Sequence, residues 1–150
     1  MNPIDADILA RKLLKEHNLN NWGIVFMNSK RIFGQCRHRN NTIALSKLLV
    51  ELNSEEKVKD IILHEIAHAL TPGNYHNSIW KRKAISIGSS ESGIFFKEDT
   101  ITPPAKYHYQ CPNCKKVYNY HHKLGRENAC TICCKGIYNK KFKLVLLEDS

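Results

Sequence analysis

The stretch Leu63-His64-Glu65-Ile66-Ala67-His68-Ala69-Leu70 decides how this chain is read. It contains H-E-x-x-H. On a helix, positions i and i+4 share a face, so His64 and His68 can grip one metal ion together. Glu65 then sits where a carboxylate can reach a water on that metal. These residue types at this spacing point to zinc-assisted hydrolysis, with a peptide bond as the first candidate. The plain alternative is an amphipathic helix with two solvated histidines.

The flanks favour a helix with a job. Asn53 and Ser54 are N-cap types, and Asn53 with Glu56 has capping-box spacing. Glu55 and Glu56 place negative charge at the positive end of the helix dipole. Val58, Ile62, Ile66 and Ala69 form one apolar stripe at helical period, with His64 and His68 on roughly the opposite side beside Lys57 and Asp60. Thr71-Pro72-Gly73 ends the helix.

A catalytic zinc takes three protein ligands and keeps one position open. His76 is the nearest third candidate, returned over the metal by a reversal at Pro72-Gly73-Asn74. Glu91, in a Ser/Gly-rich stretch, is the rival. Asn77 to Ile87 reads as a second helix with Trp80, Ala84 and Ile87 on one side.

Upstream, Pro3 to His17 reads as an opening helix, with Ile4, Ile8, Leu9 and Leu13 at helical spacing. Trp22–Asn28 and Ile32–Arg39 read as two strands around Ser29-Lys30, and Thr42–Leu45 as a third strand at the sheet edge. Leu48–Leu52 is apolar and leads into the histidine helix. The expected fold class is α+β: an N-terminal helix, a small three-stranded sheet, the H-E-x-x-H helix and a following helix.

Downstream, Cys111-Pro112-Asn113-Cys114 and Cys130-Thr131-Ile132-Cys133 are two C-x-x-C knuckles. Each turn offers two thiolates, and together they complete a tetrahedral site for a structural zinc. Hairpin strands are expected near Val117–His121 and Tyr138–Leu147. Cys134 adjoins Cys133 and competes with it as fourth ligand; the C-x-x-C spacing favours Cys133. Cys36 is expected to be an inert buried thiol. The organisation is therefore a domain over residues 1–104, with a linker from about residue 88 in which Ile94-Phe95-Phe96 packs against that domain, and a zinc ribbon over residues 105–150.

The chain has 150 residues and a formal net charge of +9. The last 50 residues carry nine basic and three acidic side chains, and four thiolates with one zinc would take two charges off that excess. The basic balance fits an anionic partner, nucleic acid first, and equally a surface that is merely solubilising. Between the knuckles, Lys115, Lys116, Tyr118, Tyr120, Lys123 and Arg126 interleave aromatic and basic residues, as suits phosphate neutralisation and stacking on unpaired bases. No apolar run approaches the roughly 18 residues of a membrane span, and Met1–Lys15 is no secretory signal. Six cysteines then indicate a reducing, cytoplasmic compartment, with association to DNA or the nucleoid and a monomeric state expected.

Gly34-Gln35-Cys36-Arg37, Thr42-Ile43-Ala44-Leu45-Ser46, the H-E-x-x-H run, His76 with Trp80 and the four-cysteine ribbon, in that order, resemble the SprT-like zinc metalloproteases. The resemblance runs from about Trp22 to Leu147. It implies a zincin-like fold, zinc held by His64, His68 and His76, and Glu65 as the catalytic carboxylate. Spartan-type members of that family are DNA-dependent proteases that cut proteins crosslinked to DNA, which implies a protein substrate and DNA, perhaps single-stranded, as partners. The chain departs from the family pattern at Asn77 and Cys134, where glycine is usual. Two other functions fit the residues: a non-enzymatic nucleic-acid-binding zinc protein with a vestigial H-E-x-x-H, and a zinc hydrolase of a non-peptide bond.

Overall fold

The computed structural model describes residues 1–90 and 100–147. Glu91 and Ile94-Phe95-Phe96 lie outside the described residues. The chain divides into two compact units, Met1–Pro103 and Pro104–Ser150.

In the first unit α1 spans Pro3–Glu16, and Asn2 Oδ1 accepts from the Ile4 N–H at its N-terminus. Its buried face is Ala6, Ala10, Leu13 and Leu14, while Ile4 and Ile8 are 69% and 62% exposed. The face expected from Ile4, Ile8, Leu9 and Leu13 is thus rotated. The physical reason is close approach: α1 lies against the second long helix, and alanines let two backbones come near where isoleucines would hold them apart.

The sheet also differs from expectation. Strands β1 (Gly23–Met27), β2 (Gly34–Arg37) and β3 (Thr42–Ser46) are arranged β1-β3-β2. β3 is therefore the centre and not the edge, parallel to β1 (Gly23↔Thr42 to Met27↔Ser46) and antiparallel to β2 (Gly34↔Leu45 to Arg37↔Thr42). The two outer strands make no hairpin. The six-residue connection after β1 is long enough to leave a strand's width, and Ser46 pins it by donating its Oγ–H to Ser29 O and its N–H to Phe33 O. Ile43, Ala44, Leu45 and Ser46 are all fully buried, as a central strand covered on both faces must be.

Ser46 also caps α2 (Lys47–Leu52), where its Oγ accepts from the Leu49 N–H. Ser54, rather than Asn53, caps α3 (Glu55–Leu70) through the Lys57 N–H. Asn53 instead donates Nδ2–H to Leu49 O and pairs with both backbone groups of Ile101, at 2.9 Å each. A turn then leads to α4 (Ser78–Ser86). The main core joins α1, α2, α3 and the sheet, with Leu14, Ile43, Leu45, Leu49, Ile62 and Ile66 among its buried members.

The second unit has a sheet ordered β5-β4-β6, where β4 is Tyr107–Gln110, β5 is Val117–Tyr120 and β6 is Val145–Leu146. Tyr138–Leu147 is not a long strand: a 3-10 turn occupies Lys140–Phe142, and only Val145–Leu146 pairs with β4. One helical turn, α5 (Thr131–Cys134), carries the second knuckle. The buried core is small: Tyr109, Cys111, Cys130 and Leu144. No described helix is long and apolar enough to cross a membrane.

Candidate active site

The second half of α3 is buried nearly all round. Ile61 through Ala67 are all under a tenth exposed, and His64 and Glu65 are each 7% exposed. So the histidine side of the helix is not a solvated face. α4 covers it, because Asn77 caps α4 by accepting from the Trp80 N–H and donates Nδ2–H to Asn74 Oδ1. Asn77 itself is extended at φ −78°, so this position needs no glycine. The residue that takes the left-handed conformation is His76, at φ 58°. That turn brings its ring back over α3.

The result is a convergent cluster. His76 Nε2 lies 3.1 Å from His64 Nε2 and 3.1 Å from His68 Nε2. A tetrahedral zinc with bonds of about 2.0–2.1 Å spaces its nitrogen ligands by about 3.3 Å, so the rings fit that ion. Burial favours the neutral, metal-binding form of His64 and His68. It pushes the His64 pKa down to about 3 and the His68 pKa down to about 4, helped in each case by the neighbouring imidazoles.

Glu65 belongs to the sheet side. The Cys36 N–H of β2 donates to its carboxylate, which opposes a stronger effect of burial that raises its pKa to about 7. Gly34 makes the approach possible: a Cβ there would stand 2.9 Å from Glu65 Cγ, 2.9 Å from Ile61 Cγ2 and 3.0 Å from Glu65 Oε1. Neither Gly34 nor the Cys36 N–H stands out as functional in the sequence. The available signal was a glycine within a strand pattern, which marks close backbone approach. The Cys36 thiol, half-buried beside Glu65, is pushed up to about 12 by burial first and that carboxylate second. Tyr75, next to His76, is 77% exposed.

In the ribbon, the sulfurs of Cys111, Cys114, Cys130 and Cys133 lie within 4.8 Å of one another, and Cys134 is not among them. The Cys111–Cys133 and Cys114–Cys130 separations are 3.8 Å and 3.6 Å, close to the ~3.8 Å edge of a zinc–thiolate tetrahedron. Cys134 Sγ faces Asn139 O at 3.8 Å. The left-handed residues after the second knuckle are Lys135 and Gly136, so Cys134 can remain helical where the family usually has glycine. Tyr118 Oη meets Cys130 Sγ at 3.1 Å, and that bond holds the Cys130 thiol down to about 6.

Of the six residues expected to touch nucleic acid, Lys115, Lys116, Lys123 and Arg126 are exposed. Tyr118 and Tyr120 are half-buried and pack against the ribbon's own core. Those rings help to fold a module with little else to bury, and each keeps part of its surface exposed.

A profile of the SprT-like family matches residues 8–108, about two thirds of the chain, including the sheet, both site helices and all three histidines. The chain belongs to the SprT-like family. It is a zinc metallopeptidase with a histidine cluster of catalytic type and a four-cysteine cluster of structural type. It is similar to two solved structures. One is the metallopeptidase zymogen jannalysin of Methanocaldococcus jannaschii, at 23% identity and a TM-score of 0.49, over 54% of this chain and 79% of that one. The other is the metallopeptidase zymogen abylysin of Pyrococcus abyssi, at 22% identity and a TM-score of 0.46, over 58% of this chain and 80% of that one. No curated protein matches.

Proposed function

We propose that this SprT-like peptidase cuts proteins associated with DNA, including proteins crosslinked to it, and that Glu65 is its general base. The observation that carries the catalytic part is the juxtaposition of three convergent imidazoles with a buried carboxylate one residue along the helix, its pKa raised to about 7. His64, His68 and His76 would hold zinc, which supplies a Lewis acid for the scissile carbonyl and lowers the pKa of water toward neutrality. Glu65 takes the proton of the attacking water and delivers it to the leaving amine. Burial favours its protonated form and the Cys36 N–H its ionised form, so the one carboxylate can take the proton and give it up. The Cys36 N–H fixes the carboxylate in place during the transfer.

Charge supports the choice of substrate. Residues 17–50 carry Lys30, Arg31, Arg37, Arg39 and Lys47 and no acid, and residues 66–90 carry Lys81, Arg82 and Lys83 and no acid. All of these except the half-buried Arg37 are exposed. The first segment contains β2, which packs on Glu65, and the second contains His76 and α4. Segments rich in exposed cations attract polyanions and whatever protein is attached to them. In the ribbon, Lys115, Lys116, Lys123 and Arg126 add exposed cations around the structural zinc, and Cys111, Cys114, Cys130 and Cys133 would hold that ion.

The test is cleavage of a basic protein bound to DNA, with and without added single-stranded DNA, by wild type and Glu65→Gln. Cleavage that needs DNA and falls by roughly 10²–10⁴ in the variant is expected. Undiminished cleavage by Glu65→Gln removes the mechanism; cleavage indifferent to DNA removes the substrate assignment.

A further inference from the structure

Trp80 touches every member of the histidine cluster. Its side chain is fully buried, and its ring centroid lies 4.6 Å from that of His64, 5.1 Å from His68 and 4.6 Å from His76. It stacks on His68 with the planes 29° apart, and meets His64 and His76 edge-on at 63° and 79°. Ala67 on α3 and Ala84 on α4, both fully buried, form with it a small cluster separate from the main core. Two small side chains leave the space that one indole fills.

The three imidazoles come from unlike places. His64 and His68 are on α3, whereas His76 sits in a turn at a left-handed backbone position. His76 Nε2 faces both His64 Nε2 and His68 Nε2 at 3.1 Å, and one ring nitrogen has a single in-plane site, so the two contacts cannot both be full hydrogen bonds and packing around the rings contributes to their convergence. The indole is in contact with all three and is locked by packing, and the backbone N–H of Trp80 donates to the Asn77 cap. Its ring nitrogen, by contrast, is buried and has no hydrogen-bond partner among the described residues. The ring is therefore kept for its faces and edges rather than for a polar contact.

We propose that Trp80 is a positioning residue for the metal: it holds the three imidazoles converged and so sets the affinity of the histidine site for zinc. This rests on the zinc-peptidase reading of the same cluster. Trp80 touches no reacting atom. It acts through the ligands, by lowering the entropy lost when they close on an ion.

Because the indole N–H has no partner, Trp80→Phe removes ring area without stranding an acceptor, and Trp80→Leu removes the aromatic surface as well. The metal-free wild type and both variants are titrated with cobalt(II). Thiolate-to-cobalt charge transfer reports the ribbon, and total bound cobalt less that fraction, by elemental analysis, reports the histidine site. Trp80→Phe is expected to weaken the histidine site by roughly 10–100-fold and Trp80→Leu by more, with the ribbon constant and far-UV circular dichroism unchanged. An unaltered histidine-site constant in folded Trp80→Phe overturns the proposal. Wild type that takes no cobalt at the histidines overturns the peptidase reading and this proposal with it. If neither variant folds, the zinc-loaded wild type decides by NMR. Nuclear Overhauser contacts from the indole to all three imidazoles support the proposal, and contacts to fewer than three overturn it.

Discussion

The two metal clusters are built in opposite ways. The histidine cluster rides on α3, whose other sides are sunk in a core that includes Leu14, Ile43, Leu45, Leu49, Ile62 and Ile66, and its third histidine packs against Trp80 of α4. There the scaffold makes the site. The cysteine cluster sits in a unit whose buried residues, among those described, are Tyr109, Leu144 and two of the four cysteines themselves. There the ligands are half of the core, so the site makes the scaffold. A catalytic metal needs an open position and fixed surroundings, which a large apolar core can guarantee. A structural metal needs only to substitute for a core that a short chain cannot build.

Chelation is the strongest way to break that contrast. Structural zinc on cysteines supplies about 10–16 kcal/mol to small domains, more than such a unit's whole stability. An excess of chelator at neutral pH should therefore bring amide exchange across β4, β5 and β6 to the unfolded rate. Amides in α1, α3 and β3 should stay protected in the same sample. Exchange followed by mass spectrometry reads both units at once. A ribbon that remains protected without metal would mean its tyrosines suffice, and the distinction between the clusters would fall.

The two sites also differ in how far the sequence disclosed them. Ligand spacing is local: H-E-x-x-H on a helix and C-x-x-C on a turn put atoms together within one or two turns of chain, whatever the rest does. Strand order is not local. Thr42–Ser46 looks like an edge when read by itself, because its centrality comes from Gly23–Met27 pairing in parallel across a connection that the pattern suggests is a hairpin. The buried face of α1 was hidden for a related reason. Hydrophobicity ranks Ile4 and Ile8 above Ala6 and Ala10, but the closeness of α1 to α3 selects for small side chains. Tyr118 and Tyr120 have a role that their setting beside lysines does not disclose: both pack against the small core of the ribbon. Gly34 and the Cys36 N–H serve Glu65 across 31 and 29 residues of sequence, and no spacing rule reaches that far.

A middling effect should come from Gly34→Ala, which tests whether the sheet, and not the metal, places Glu65. The added methyl would meet Glu65 Cγ and Ile61 Cγ2, both at 2.9 Å. Ile61 and Glu65 are themselves buried, so neither has room to retreat. Overpacking of this kind costs about 1–3 kcal/mol. The variant should melt earlier and turn over more slowly, while still binding two zinc ions, because the atoms nearest the added methyl belong to Glu65 and Ile61 and not to a histidine. Lost activity with full metal content would show that positioning the base and holding the metal are separable. Wild-type activity would show that Glu65 needs no support from β2.

The smallest effect belongs to Cys134→Ser. Cys133 and Cys134 are adjacent, and ligand spacing alone leaves them rivals. The geometry separates them: Cys133 Sγ is 3.8 Å from Cys111 Sγ and accepts from Asn113 Nδ2–H at 3.4 Å, while Cys134 Sγ faces a backbone carbonyl. Cys134→Ser should keep two zinc ions per chain and change ribbon stability by less than about 0.5 kcal/mol, since a hydroxyl can donate to Asn139 O as well as a thiol does. Cys133→Ser should release the ribbon zinc and reproduce the exchange pattern of the chelated protein. The reverse result would make Cys134 the ligand. It would also require α5 to rotate by about 100° to exchange the two side chains, which the Cys134 N–H bond to Cys130 O and the left-handed Lys135 that ends the turn both oppose.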